Sequence, residues 1–186
     1  MTYIAPADIK GTSVLTWEHA NKEDDQWLFL PALRKSRRIS ASNKKDRFVG
    51  TEVTYEDLSN YLSEDLADFE YNFIRKEVRN GQNCQVLEAI PIKKEVREKS
   101  AYSKRIIWIT EKETLDIYTE YYNKKGELSK TFSASNIVKI KNSYRALDII
   151  VKNIKTGNST EIHYTNIEID EGIADNLFTK QYLESL

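Results

Sequence analysis

Ala67-Asp68-Phe69-Glu70-Tyr71-Asn72-Phe73 alternates apolar and polar residues without a break. Successive side chains of an extended chain point to opposite faces. Ala67, Phe69, Tyr71 and Phe73 therefore share one face, and Asp68, Glu70 and Asn72 the other. This is the pattern of a strand with one buried face, as antiparallel sheets commonly have. Further on comes Asn80-Gly81. That dipeptide suits a two-residue hairpin turn whose central residues both need positive φ. The chain is expected to return as a strand over residues 84–92.

The same signals recur on both sides. Downstream, alternation predicts strands at residues 105–110, 114–122, 128–132, 137–140, 144–154 and 160–169. Lys124-Lys125-Gly126 and Thr156-Gly157-Asn158 supply turns between them. Upstream, Ser13, Leu15 and Trp17 share one strand face, with Thr12, Val14 and Thr16 on the other. Residues 26–30 form a short apolar run. Pro31-Ala32-Leu33 then turns the chain into residues 34–39, a hairpin with proline opening the turn.

Helices are expected to be few and short. Residues 54–62 form one, with Thr54 as N-cap and Asp57 in the capping-box position. Residues 175–186 form a second, spaced by Leu177, Phe178, Tyr182 and Leu183. Residues 91–99 are too charged to assign. About ten strands in consecutive hairpins predict a mainly β fold built on one large, curved antiparallel sheet. No internal repeat or domain boundary is visible, so residues 1–186 read as a single domain.

Composition narrows the function classes. Hydrophobic residues make up 40% and charged residues 31%, an ordinary globular balance. Lys and Arg number 28 against 29 Asp and Glu, giving a net charge of −1 and no global pull toward nucleic acid. No apolar run approaches the roughly 20 residues of a membrane-spanning helix. The segment Met1 to Pro6 has neither the basic nor the apolar region of a secretory leader. Cys84, the single cysteine, reads as a small buried hydrophobe with no internal disulfide partner.

His19 and His163 are the only histidines. His19 has Glu18, Glu23, Asp24 and Asp25 near it, but nothing matches the ligand spacing of a zinc site. No nucleophile elbow frames a serine or Cys84, and no glycine-rich phosphate loop is present. No catalytic residue, metal ligand or cofactor is assigned, and the chain is not expected to be an enzyme. Arg34, Lys35, Arg37 and Arg38 form a basic cluster, followed by Lys44, Lys45 and Arg47. On a strand Arg34 and Arg38 would share one face, and Lys35 and Arg37 the other. Such a cluster suits anionic headgroups or a partner protein; a solvated, ion-paired hairpin is the plain alternative. A nucleic-acid strip is less well supported, because no RNA-binding signature accompanies it. Trp17, Trp27, Phe29, Phe69, Tyr71, Phe73, Trp108, Tyr118 and Tyr122 all fall on predicted strands. A packed core and an apolar cavity wall demand the same alternation, so both readings stay open.

Several segments carry a family resemblance. Gly11-Thr12-Ser13-Val14-Leu15-Thr16-Trp17-Glu18-His19 leads into Asp25-Gln26-Trp27-Leu28-Phe29-Leu30-Pro31-Ala32-Leu33. Arg37-Arg38-Ile39-Ser40, Phe48-Val49-Gly50-Thr51 and Thr54-Tyr55-Glu56-Asp57-Leu58 follow. Later come Tyr121-Tyr122-Asn123-Lys124-Lys125-Gly126 and Ile173-Ala174-Asp175-Asn176-Leu177-Phe178-Thr179, with Leu183 beyond. Over nearly the whole chain this order resembles the outer-membrane lipoprotein-sorting (LolA-like) family, in the branch found beside RND-type exporters.

The resemblance implies an incomplete, half β-barrel of LolA/LolB type, closed on one side by helices. It implies a periplasmic carrier whose apolar concavity holds a lipidated protein or another lipid, with no catalysis, cofactor or metal. An inner-membrane RND-type transporter is the implied partner. Family members begin with a signal peptide, a helix and opening strands, so the chain is expected to be an N-terminally trimmed LolA-like domain. Trp17, Trp27, Phe29, Phe69, Tyr71, Phe73 and Trp108 are the expected ligand-lining residues. Arg34, Arg37 and Arg38 are expected to dock a transporter or a headgroup. The alternative is an exporter-docking module with no cargo of its own.

Overall fold

The structure is a computed structural model that describes residues 2–4, 7, 9–19, 24–62 and 64–185. Its strands form two antiparallel sheets rather than the single one expected. The smaller has the order β1 (Ser13–Trp17), β2 (Asp25–Leu30), β3 (Lys35–Arg38). The larger contains β4 (Phe69–Arg79), β5 (Gln82–Pro91), β6 (Tyr102–Thr110), β7 (Asp116–Asn123), β8 (Leu128–Ile140), β9 (Ser143–Asn153) and β10 (Ser159–His163). These seven strands lie side by side in chain order; among the described residues β4 and β10 are its unpaired edges and the sheet does not close. The split has a local cause. Between β3 and β4 the chain forms 3-10 turns at Ala41–Lys45, Phe48–Gly50 and Leu66–Asp68, and the helix α1 (Tyr55–Leu62). These carry it across a face instead of alongside β4. Two further short helices are α2 (Lys94–Lys99) and α3 (Lys180–Ser185).

The turn chemistry follows the residues. Asn80 (φ 50) and Gly81 (φ 76) make the two-residue turn that joins β4 to β5. The capping box at α1 is reciprocal. Thr54 N donates to Asp57 Oδ2 at 2.7 Å, and Asp57 N donates to Thr54 Oγ1 at 3.1 Å. Thr54→Ala should cost about 1 kcal/mol, read as a melting temperature lowered by about 2–4 °C.

Other boundaries shift. Residues 128–132 and 137–140 fuse into β8, because Asn136 adopts positive φ (53) without breaking the register with β9. The strand expected at 160–169 is only Ser159–His163 long. The stretch 91–99 yields α2. At the C-terminus, a 3-10 turn over Asp175–Phe178 precedes α3, because Thr179 is extended (φ −110, ψ 153). Its Oγ1 accepts the Tyr182 N–H at 3.1 Å and starts a new helix. Leu186 lies outside the described residues. The opening alternation begins its strand at Phe69, since Ala67 and Asp68 belong to the 3-10 turn. A bulge between Phe73 and Arg75 leaves Ile74 without a register partner.

Packing makes layers. On one face of the small sheet Leu15, Trp27 and Phe29 bury against Leu183 of α3. Trp17 meets Trp27 edge-on at 4.5 Å between centroids and donates its indole N–H to the Phe178 carbonyl at 2.6 Å. On the other face Val14 packs with Phe48 and Tyr55. Leu58 of α1 touches that cluster and also the large sheet, where Val53 joins Phe132, Ala134, Ile149 and Val151. Helix α1 is thus the layer between the two sheets.

Candidate functional site

Strand register divides the large sheet into two faces. Phe69, Tyr71 and Phe73 pair with Pro91, Ala89 and Leu87. Following the pairs across the sheet places Arg105, Ile107, Thr119, Tyr121, Lys130, Phe132 and Val151 on that same face. This is the face that α1 covers. Val86, Trp108 and Tyr118 pair in line on the opposite face.

The covered face holds charge. Lys130 and Arg105 are buried there among apolar side chains. The Lys130 ammonium is held by the Asp57 carboxylate of α1 and the Tyr102 hydroxyl. The same Tyr102 hydroxyl donates to Asp57 Oδ1 at 2.9 Å. Lys130 also lies 4.8 Å and 4.6 Å from the centres of the Tyr102 and Tyr121 rings. Next to it, Glu56 of α1 accepts the Ala101 N–H at 2.7 Å. Toward the β4 edge, Arg105 pairs with Glu64 at 2.6 Å, and the Tyr71 hydroxyl donates to Glu64. The Arg105 guanidinium sits 4.8 Å from the Phe69 ring centre.

Burial sets the protonation of this cluster. It pushes the Glu56 carboxyl up, opposed by the Ala101 N–H, and pulls the Lys130 ammonium down, opposed by Asp57. It raises the phenols of Tyr102 and Tyr121 well above the ordinary range. The Asp116 carboxyl is pushed up to about 6 by burial, against the hydrogen bond that Thr119 Oγ1 gives it at 2.7 Å. At Asp116 the native state therefore holds a proton that the unfolded chain has lost between about pH 4 and pH 6, so the contribution of this group to stability falls as pH rises through that window. Asp116→Asn keeps an acceptor for Thr119 and removes the loss. It should add about 1–3 kcal/mol near neutral pH and little near pH 4, measured by denaturant unfolding at both.

The expected ligand-lining residues fall into three places. Trp17, Trp27 and Phe29 lie on the small sheet beneath the C-terminal segment. Phe69, Tyr71 and Phe73 lie together on the α1 face of the large sheet, at its outer strand. Trp108 is on the opposite face. It is 4% exposed, donates to Glu77 at 2.9 Å and has the Arg79 guanidinium 5.0 Å from its ring centre. The docking trio separates too. Arg34 sits in the turn with φ 47 rather than on the strand, while Arg37 and Arg38 are on β3. Arg38 is held by Asp25, which also bonds His19 at 2.9 Å. Glu23 lies outside the described residues. His163 bonds Asp148 at 2.8 Å on an exposed surface.

The buried ion pairs went unread in the sequence, although a signal for them exists. Arg105 is in phase with Ile107, and Lys130 with Phe132 and Ala134. A cation in step with core residues calls for a buried acid.

Beneath α1 the packing leaves a void of about 10 Å³, between Glu56, Phe69, Tyr102 and Arg105. Past the Arg105–Glu64 pair the same face is barer. Phe73 is 59% exposed beside half-buried Leu87. A separate open groove of about 620 Å³ runs between the turns that end β7 and β9. Its apolar residues are Leu128 and Ile154, and Arg47, Glu127 and Lys155 edge it.

An unclosed antiparallel sheet with a short helix laid over one face places the protein in the class of incomplete β-barrels. A family model described as "Uncharacterized protein"-like matches residues 1–185. The chain belongs to the outer-membrane lipoprotein-sorting, LolA-like family. It is 35% identical to a candidate outer membrane lipoprotein-sorting protein domain from Vibrio parahaemolyticus, with a TM-score of 0.89 over 98% of this chain and 75% of that one. A DUF1329 family protein from Desulfovibrio piger gives 29% identity and a TM-score of 0.88, covering 98% and 75%. A LolA superfamily protein from Nitrosomonas europaea shares the fold at 24% identity and a TM-score of 0.70, covering 97% and 76%. No curated protein matches the chain.

Proposed function

We infer that the protein is a periplasmic carrier or binding protein for a lipidated protein or another lipid, without catalytic activity. The observation that carries this reading is the open LolA-like sheet, whose α1 face ends in an apolar strip with Phe73 left mostly exposed. The void under α1 is too small for an acyl chain, so the cargo lies along the strip of Phe69, Phe73 and Leu87 instead of inside a closed cavity. Each methylene laid there contributes about 0.8 kcal/mol, so a chain binds without a charged anchor. An RND-type transporter is the partner that would deliver or accept the cargo.

Lipid extraction and mass spectrometry of the protein purified from its native envelope test the reading. Recovery of an apolar ligand, reduced by Phe73→Asp, is the expected result. A ligand-free protein that still copurifies with a transporter would replace the carrier with a docking module.

A further inference from the structure

The geometry points to a second surface, a membrane-contacting tip at one end of the three-stranded sheet that fits an anionic phospholipid bilayer. Ser13 pairs with Phe29, and Leu30 with Lys35, so the start of β1, the end of β2 and the start of β3 meet there. The turn Pro31–Leu33 projects from this end, followed by Arg34. Gly11 lies against it, where an added Cβ would come within 3.0 Å of the Pro31 ring. The preceding segment joins the same end, since Gly11 N donates to Tyr3 O and Tyr3 N to Thr12 O.

Two aliphatic side chains stand out from this tip, Ile4 at 84% exposed and Leu33 at 48%. Around them Lys10, Arg34 and Lys35 lie at the surface, with Arg37 one step along β3. Among the described residues none of these four cations has a carboxylate within ion-pairing distance. Asp8 lies outside the described residues. Arg38, by contrast, is neutralised by Asp25 at the other end of the sheet. Aliphatic groups ringed by such cations match a bilayer surface, where the first enter the headgroup boundary and the second meet the phosphates. Arg34 holds its side chain there in a left-handed backbone conformation that favours glycine.

Co-sedimentation with vesicles of phosphatidylcholine, with and without phosphatidylglycerol, tests the tip. The intact chain should bind the anionic vesicles, fail on the neutral ones, and release as salt is raised. Each cation lost near an anionic surface weakens binding about fivefold. Arg34→Gly suits the backbone of the turn and should fold normally, so it reads that single loss cleanly. The pair Arg34→Glu and Lys35→Glu should lose more than about 25-fold, and Leu33→Asp should also weaken binding with an unchanged melting temperature. Equal binding to both vesicle types, no binding, or full binding by the charge-reversed pair would overturn the proposal. Binding of the tip to a purified transporter but not to vesicles would overturn it too, and assign the tip to a protein partner. None of these readouts involves cargo, so the carrier reading stands or falls separately.

Discussion

Lys130→Ala should lower the unfolding free energy by about 3–5 kcal/mol, a large share of the stability of an ordinary domain. The loss does not measure the worth of the ion pair. It measures what remains when one partner goes: the Asp57 carboxylate, still enclosed beside Tyr102 and next to Glu56. The double variant Lys130→Met with Asp57→Asn removes both charges. It also keeps an acceptor for the Thr54 N–H at the start of α1. It should recover most of the loss, because a buried pair replaced by groups of similar volume is often near neutral. Denaturant unfolding of Lys130→Met, Asp57→Asn and the double gives a coupling energy of several kcal/mol if the account is right. Additive losses would mean that Lys130 acts through packing alone.

Trp108→Ala should cost about 3–5 kcal/mol, and Phe73→Ala no more than about 0.5 kcal/mol. The two aromatics look alike in the sequence. Trp108 is enclosed by Cys84, Val86, Ile106 and Ile117, with its N–H on Glu77 and the Arg79 side chain over its ring. Removing it leaves a cavity and unpairs part of that polar cover. Phe73 stands mostly in solvent on the outer strand, so its loss opens no cavity. Calorimetric melting of both variants separates the roles, and uptake of an apolar probe by the Phe73 variant tests the carrier reading in the same preparation. A stability loss of equal size at both positions would contradict the assignment of Phe73 to an exposed strip.

Much of this architecture was legible in the residues, for identifiable reasons. Asn80-Gly81, Pro31 and the Thr54–Asp57 pair act through short-range backbone chemistry, so each predicts its own turn or cap. Division into two sheets was not legible, because period-2 alternation says which face a residue takes and nothing about which sheet. The same limit explains the scattering of the aromatics. Trp27, Phe69 and Trp108 are all in phase on their own strands, yet they belong to three separate surfaces. Arg34 and Arg38 were expected on one face. The turn places Arg34 off the strand, and Asp25 takes Arg38. The ion pairs under α1 join residues far apart in the chain, such as Asp57 and Lys130. Phase alone marked each cation as out of place, and only the fold supplied its partner.

The chain-order arrangement of the large sheet also governs how it can assemble. Every strand from β4 to β10 pairs with its neighbour in the chain, across a tight turn or short loop except between β5 and β6, where α2 intervenes. Closing such a loop costs little entropy, so hairpins can form independently and lengthen the sheet one strand at a time. Helix α1 differs, because its contacts reach forward to β8 and back to β1. The sheet can therefore stand as a cooperative unit before α1 settles on it. Opening of α1 then becomes a partial unfolding that exposes the charged face while the seven strands stay paired.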